Sequence, residues 1–267
     1  MRTLLTVCWA FLVRDVTMAV SYRLDFLMQI GRTIFPLLVL YLPAKLMGDV
    51  ESTREYGGFV PFSVIGLGMM NFFMASYGSF AGSIRSEQGV GTLESVLMTP
   101  ASVPALVVAS STWSFLWSLV SAVIFIGGGA LLYNIPLQGS FSLALVLVAV
   151  TTLVFASMGV LSASFVMVWK RGDPIGPLVG VMFFLIGGVI YPTKVLPHWI
   201  AVISELLPIT HAVRALRAVL LQGKTLSDVA ADFAVIVGFA ALLVPVSLFV
   251  FGRAVRRATR EGTLLQY

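Results

Sequence analysis

His198 and His211 are the only histidines in this 267-residue chain, and they share one stretch with Glu205. A set of this kind can hold a metal ion or move a proton. Its spacing fits no HExxH pattern, in which one helical turn aims two imidazoles at one ion. The neighbouring Trp199 and prolines point instead to a structural setting. Gly223-Lys224-Thr225 hints at a phosphate loop. Such a loop needs GxxxxGK followed by Ser or Thr, so that backbone amides cradle the phosphates. Ala218 stands where the first glycine belongs, and no strand is expected before it, so ATP is not bound by that route. The single cysteine, Cys8, permits neither an internal disulfide nor a cysteine zinc cluster. The many serines in apolar runs suit helix packing better than nucleophilic attack. The expectation is a chain without catalytic residues and without a metal or cofactor of its own.

The elements that carry these residues belong to a membrane. The chain is 58% hydrophobic and only 11% charged, against about 25% charged in a soluble domain. A helix needs about 20 apolar residues to cross a bilayer. Continuous apolar runs cover Phe26 to Met47, Phe59 to Gly82, Val103 to Tyr133, Ser140 to Trp169, Ile175 to Tyr191 and Phe233 to Gly252. They are not alternating, which excludes a barrel pattern. The expected fold is an all-α membrane protein of one domain, residues 1–267, with six transmembrane helices. Residues 1–25 read as an N-terminal amphipathic helix on the membrane surface, with Leu5, Trp9, Leu12 and Val16 at helical spacing. Residues 193–232 hold a stretch too short to cross, bracketed by Pro197 and Pro208, and read as short re-entrant helices on the outer face.

Basic residues set the orientation. With both termini inside, the cytoplasmic side receives Arg2, Arg14, Arg23, Arg85, Lys170, Arg171 and the basic tail at 253–267, which carries Arg253, Arg256, Arg257 and Arg260. The outer side receives Lys45, Arg54, Lys194, Arg214, Arg217 and Lys224, and Arg32 stays within the first span. The positive-inside rule favours this arrangement, in the inner (plasma) membrane. The same rule accounts for the net charge of +5, so no nucleic-acid partner is expected. No acid falls inside the assigned spans, since Asp25 and Asp232 sit at edges, and this disfavours proton-coupled transport.

The interruption from Ile84 to Pro100 reads IRSEQGVGTLESVLMTP. Glu87 and Glu94 are seven apart and share a helical face, while Val90, Leu93 and Leu97 lie on another. The segment 83–102 can form a short amphipathic helix along the cytoplasmic surface, its start loosened by Gly89 and Gly91 and its end limited by Pro100. Its acidic face would meet a basic groove on a partner.

Arg85 to Pro100, with E-x-x-x-G-T-L-E followed by T-P, resembles the cytoplasmic loop of type-2 ABC exporter permeases. Gly187 to Gly223, GGVIYPTKVLPHWIAVISELLPITHAVRALRAVLLQG, resembles the family's late signature: a Gly-rich fifth span, a Tyr-Pro turn, Leu-Pro, a Pro-Ile-Thr-His element and an Arg-bearing helix. The likeness covers nearly the whole chain. It implies that Arg85, Glu87, Gly91, Thr92, Leu93 and Glu94 belong to a coupling element docked on a separate ABC ATPase subunit, which would bind the ATP and Mg. It implies that Tyr191, Pro192, Leu196, Pro197, Pro208 and His211 belong to the outer re-entrant gate. It implies a second permease copy or paralogue, and export of a hydrophobic or amphiphilic substrate such as a drug, a lipid or a lipid-linked glycan. The alternatives from the residues alone are a stand-alone secondary transporter or channel, and an intramembrane enzyme using His198 or His211.

Overall fold

The computed structural model describes residues 2–47, 51–90, 103–169, 173 and 175–260. Among them every regular element is helical. In chain order they are α1 (Arg2–Ser21), α2 (Arg23–Val39), α3 (Tyr41–Met47), a 3-10 turn (Glu51–Tyr56), α4 (Phe59–Val90), α5 (Val103–Leu132) and α6 (Phe141–Trp169). Then follow α7 (Ile175–Ile186), a 3-10 turn (Thr193–Val195), α8 (His198–Ser204), α9 (Pro208–Gln222) and α10 (Ala230–Arg260).

Four helices are long and apolar enough to cross a bilayer, through Phe59–Gly78, Phe115–Leu132, Phe141–Val166 and Ala230–Arg257. A fifth crossing arises if α8 and α9, bent by 86° at their junction, count as one span. Helices such as α5 and α6 are apolar on all sides, as expected where lipid or protein surrounds them. Leu131, 83% exposed on α5, has a face that only a lipid environment tolerates readily.

α4 is the hub. It packs on α5, α6, α7 and α9, while α6 also carries α10 along its length. At the centre, Phe73 of α4 lies 5.1 Å from Phe155 of α6 and 4.7 Å from Phe183 of α7, between ring centroids. Lipid offers no hydrophobic gain between helices, so interlocking shapes of this kind must hold them together. Gly159 of α6 shows how closely they fit, because a Cβ there would fall 2.1 Å from the Tyr77 carbonyl oxygen of α4. The glycine pair Gly176 and Gly180 serves the same end, facing Tyr77 and Met74 of α4 within the chain.

Two expected spans are not single long helices. The run from Phe26 to Met47 is divided between α2 and α3. Pro43 supplies the reason: it has no N–H for the Val39 carbonyl, and its ring crowds that carbonyl, so the chain turns at Leu40. The run from Ile175 to Tyr191 is helical only to Ile186. Gly187 and Gly188 end it, Gly188 with φ of 73°. At 1.5 Å per residue α7 is about 18 Å long, short of a core about 30 Å thick. The second run is longer than expected, because the α4 helix continues past Gly82 to Val90. Finally, α1 does not stand apart as a surface helix, since it packs on α5, with Trp9 left 67% exposed.

Candidate functional site

The region from 187 to 232 builds a site from a chain that changes direction four times. Proline starts each turn. Pro192 precedes the 3-10 turn and Pro197 precedes α8, both in extended conformation. Pro208 occupies the first turn of α9, where its missing N–H costs nothing. Gly223 ends α9 in the left-handed conformation, φ 65°, with the Lys224 amide donating to the Ala218 carbonyl. The Gly-Lys-Thr triplet is therefore a helix C-cap. Thr225 continues the turn by donating from its amide and its hydroxyl to Asp228, each over 2.8 Å.

Arg217 is the anchor of this region. It is 3% exposed on α9. Its Nε and Nη2 donate to the Phe62 carbonyl of α4 at 3.1 and 2.9 Å, its Nη1 to Gly188 at 2.6 Å, and its Nη2 also to Val189 at 2.8 Å. The guanidinium carbon lies 3.3 Å from the centre of the Phe62 ring. The arrangement answers a problem of solvation. The bend after α7 leaves carbonyls without helical partners, and buried carbonyls need donors. A planar fork with five N–H groups meets several at once. Gly66 makes room for it: a Cβ there would fall 2.0 Å from the Val189 oxygen and 2.5 Å from Arg217 Nη2.

A second cluster caps the same helix. His211 Nδ1 is 2.7 Å from Asp232 Oδ1, and Nε2 is 2.9 Å from the Glu205 carbonyl oxygen. Both partners accept, so both ring nitrogens must donate, and the imidazole is held as the cation. Its pKa is raised above 6.5, chiefly by the Asp232 hydrogen bond. Arg214 reaches Glu205 at 2.6 and 2.9 Å and Asp232 at 2.6 to 3.1 Å. Arg214 is the main cause of the lowered Glu205 pKa. Burial pushes the Asp232 carboxyl up, but hydrogen bonds from His211 and Arg214 outweigh it and leave the pKa lowered. Two cations and two carboxylates thus join α8, α9 and the first turn of α10. A cavity of about 280 Å³ lies beside them, between Phe62, Pro192, Arg214 and Arg217.

The expected gate residues are gathered here. Pro192, Pro208 and His211 are buried, Tyr191 and Leu196 half-buried, and Pro197 exposed. The Tyr191 hydroxyl donates to the Leu185 carbonyl. His198 is exposed, and among the described residues no three His, Cys, Asp or Glu side chains are grouped to hold a metal. Arg214 and Arg217 were legible only as outer basic residues. Their three-residue spacing after His211 places all three near one helix face, but their acceptors lie far along the chain. Of the expected coupling residues, Arg85 and Glu87 fall on the last turns of α4. Gly91, Thr92, Leu93 and Glu94 lie outside the described residues.

Known proteins give this arrangement its family. No curated protein matches the chain. A family model described as ABC-2 type transporter matches residues 6–221. The match runs from within α1 to the last turn of α9 and takes in α4 and the Arg217 anchor, so this chain is a multi-pass membrane permease of the ABC-2 type transporter family.

Proposed function

We propose that this permease is the membrane subunit of an ATP-driven exporter whose motor is a separate ABC ATPase. The reading has six spans: α2 with α3, then α4, α5, α6, α7 with residues 187–191, and α10. The α8–α9 pair is re-entrant on the outer face, and both termini lie in the cytoplasm at the plasma membrane. The motor carries the ATP and Mg. Two permease copies, or one copy and a paralogue, frame the pathway. The cargo is hydrophobic or amphiphilic: a drug, a lipid or a lipid-linked glycan. The apolar spans with Asn71 and scattered hydroxyls suit such a molecule.

One observation carries the reading. α4 is an unbroken helix of 32 residues, about 48 Å long at 1.5 Å per residue. Its first turn holds the Phe62 carbonyl that Arg217 grips. Its last turns carry Arg85 and Glu87, the start of the coupling segment. Closure of the motor on segment 83–102 would displace α4, and α4 would carry α9 and the 187–192 bend with it. Packed helices move as units, and an interface between them switches between discrete arrangements. ATP drives the switch only if the motor's closed form binds one arrangement better.

The test is to express the chain with the ATPase encoded beside it and purify the pair. The expected result is a stable complex whose ATPase turnover differs from that of the motor alone. A motor that neither binds the wild-type permease nor changes its turnover would end the coupling reading.

A further inference from the structure

A groove of about 1210 Å³ opens between α6, α7 and α10. Its two ends differ in chemistry. One end is closed by Leu206, Leu207 and Pro208, at the bend between α8 and α9. The other is lined by Arg253, Arg256 and Arg257 of α10, all exposed. Between them the walls are apolar, with Phe165 of α6, Val179 and Phe183 of α7, and Leu243 of α10. No acid is among its described lining residues. Asp173 lies behind Tyr77 in the wall, accepting from the Tyr77 hydroxyl at 2.9 Å and the Gly176 amide at 3.0 Å.

The sequence of α10 builds this polarity. Phe239, Leu243, Val250, Arg253, Ala254 and Arg257 all line the groove. Their spacing of three, four and seven residues keeps them on one helical face. The face is apolar along the buried length and becomes cationic where the helix leaves the hydrocarbon. From Phe239 to Arg257 it spans about 27 Å, more than one leaflet of a core about 30 Å thick. A soluble metabolite would not need that length of apolar wall. A basic mouth between membrane helices, continuous with an apolar slot, matches a lipid with an anionic headgroup.

We propose that the groove between α6, α7 and α10 holds an anionic phospholipid, with its phosphate at Arg253, Arg256 and Arg257 and an acyl tail running towards Leu243. The lipid is a resident of the fold rather than the exported cargo. It fills the space that the short α7 leaves beside α6 and α10 and ties those helices together from outside the α4 hub. The proposal does not depend on the export reading, because lipid binding is a property of the permease alone.

The experiment is native mass spectrometry of the detergent-purified permease, titrated with phosphatidylglycerol or with phosphatidylcholine of identical tails. Phosphatidylglycerol should be retained about tenfold better, given the attraction of each basic residue for anionic headgroups, and should saturate at a small whole number per chain. The triple substitution Arg253→Gln, Arg256→Gln, Arg257→Gln should abolish that preference. Leu243→Trp changes no charge but obstructs the tail path, and should lower phosphatidylglycerol retention severalfold. Equal retention of the two lipids by the wild-type protein overturns the proposal. So does displacement of the lipid by equimolar inorganic phosphate, which would mean that the site reads phosphate alone. Full retention by well-folded Leu243→Trp also overturns it, since the tail would then lie elsewhere. Should a variant not fold, the wild-type comparison of the two lipids and free phosphate decides the question.

Discussion

Arg217 makes four hydrogen bonds to three carbonyls that come from α4 and from the bend after α7. Arg217→Lys keeps a charge but loses the planar fork, so at least one buried carbonyl loses its donor, at a cost of about 1–3 kcal/mol. Arg217→Met removes every donor and should cost about 3–5 kcal/mol. Thermal unfolding in detergent should rank wild type above Lys above Met, and an unchanged midpoint for Arg217→Met would refute the anchor. The neighbouring cluster predicts a pH dependence. The His211 pKa is raised in the fold, so its contribution is complete below its ordinary value of 6.5 and is lost as pH climbs through the raised value. The Glu205 and Asp232 pKa values are lowered, so their contributions hold above the ordinary carboxylate range and fade as pH falls through the lowered values. Unfolding midpoints should therefore fall on both sides of a plateau, and His211→Gln should flatten the alkaline side while sparing the acid side. A His211→Gln profile that parallels wild type would show that the imidazole contributes nothing there. The His-x-x-Arg-x-x-Arg spacing was legible in the chain. The partners were not: Asp232 is 18 residues from Arg214, and Phe62 is 155 residues from Arg217. Spacing reports neighbours along a helix and says nothing of distant acceptors. A basic residue outside the spans therefore read as a topology marker when it is a buried clasp.

At the scale of the element, close approach sets the rules. Gly159 lies against α4 backbone, and backbone cannot rotate aside as a side chain can. Gly159→Ala should push α6 from α4 and lower the unfolding midpoint by several degrees. Gly238 is exposed on α10, and a Cβ added there would meet nothing within 4 Å. Gly238→Ala should be neutral or stabilising by up to about 1 kcal/mol, as helix propensity dictates. Equal effects at the two sites would mean that helix packing here is looser than the geometry requires. Hydropathy located the long spans well, because α4, α5, α6 and α10 are apolar throughout. It overestimated the helix in the first and fifth runs, because it weighs apolarity and ignores the missing N–H of Pro43 and the positive φ of Gly188. It placed the end of α4 too early for the opposite reason: SIRSEQ is polar, yet none of its residues breaks a helix.

For the whole molecule, the family match and the α4 hub support a machine driven from one end. Reversing charge at the proposed docking face with Glu94→Lys should weaken co-purification of the ATPase about tenfold while leaving membrane insertion intact. Unchanged association and transport would remove Glu94 from the contact. The resemblance to exporter permeases reached this whole-chain reading where composition could not, because composition reports the solvent and only ordered motifs report the partner. α4 has a consequence of its own. A helix fixes rotational phase as well as distance, each residue turning the next by about 100°. One alanine inserted after Gly82, beyond the contact of Phe80 with Phe251 at 4.8 Å, would swing Arg85 and Glu87 by that angle about the helix axis. Seven inserted residues would restore the phase to within about 20° while adding about 10 Å of length. If export survives seven and fails with one, the permease reads the azimuth of its drive shaft, and the two ends of α4 are geared to one another rather than merely joined.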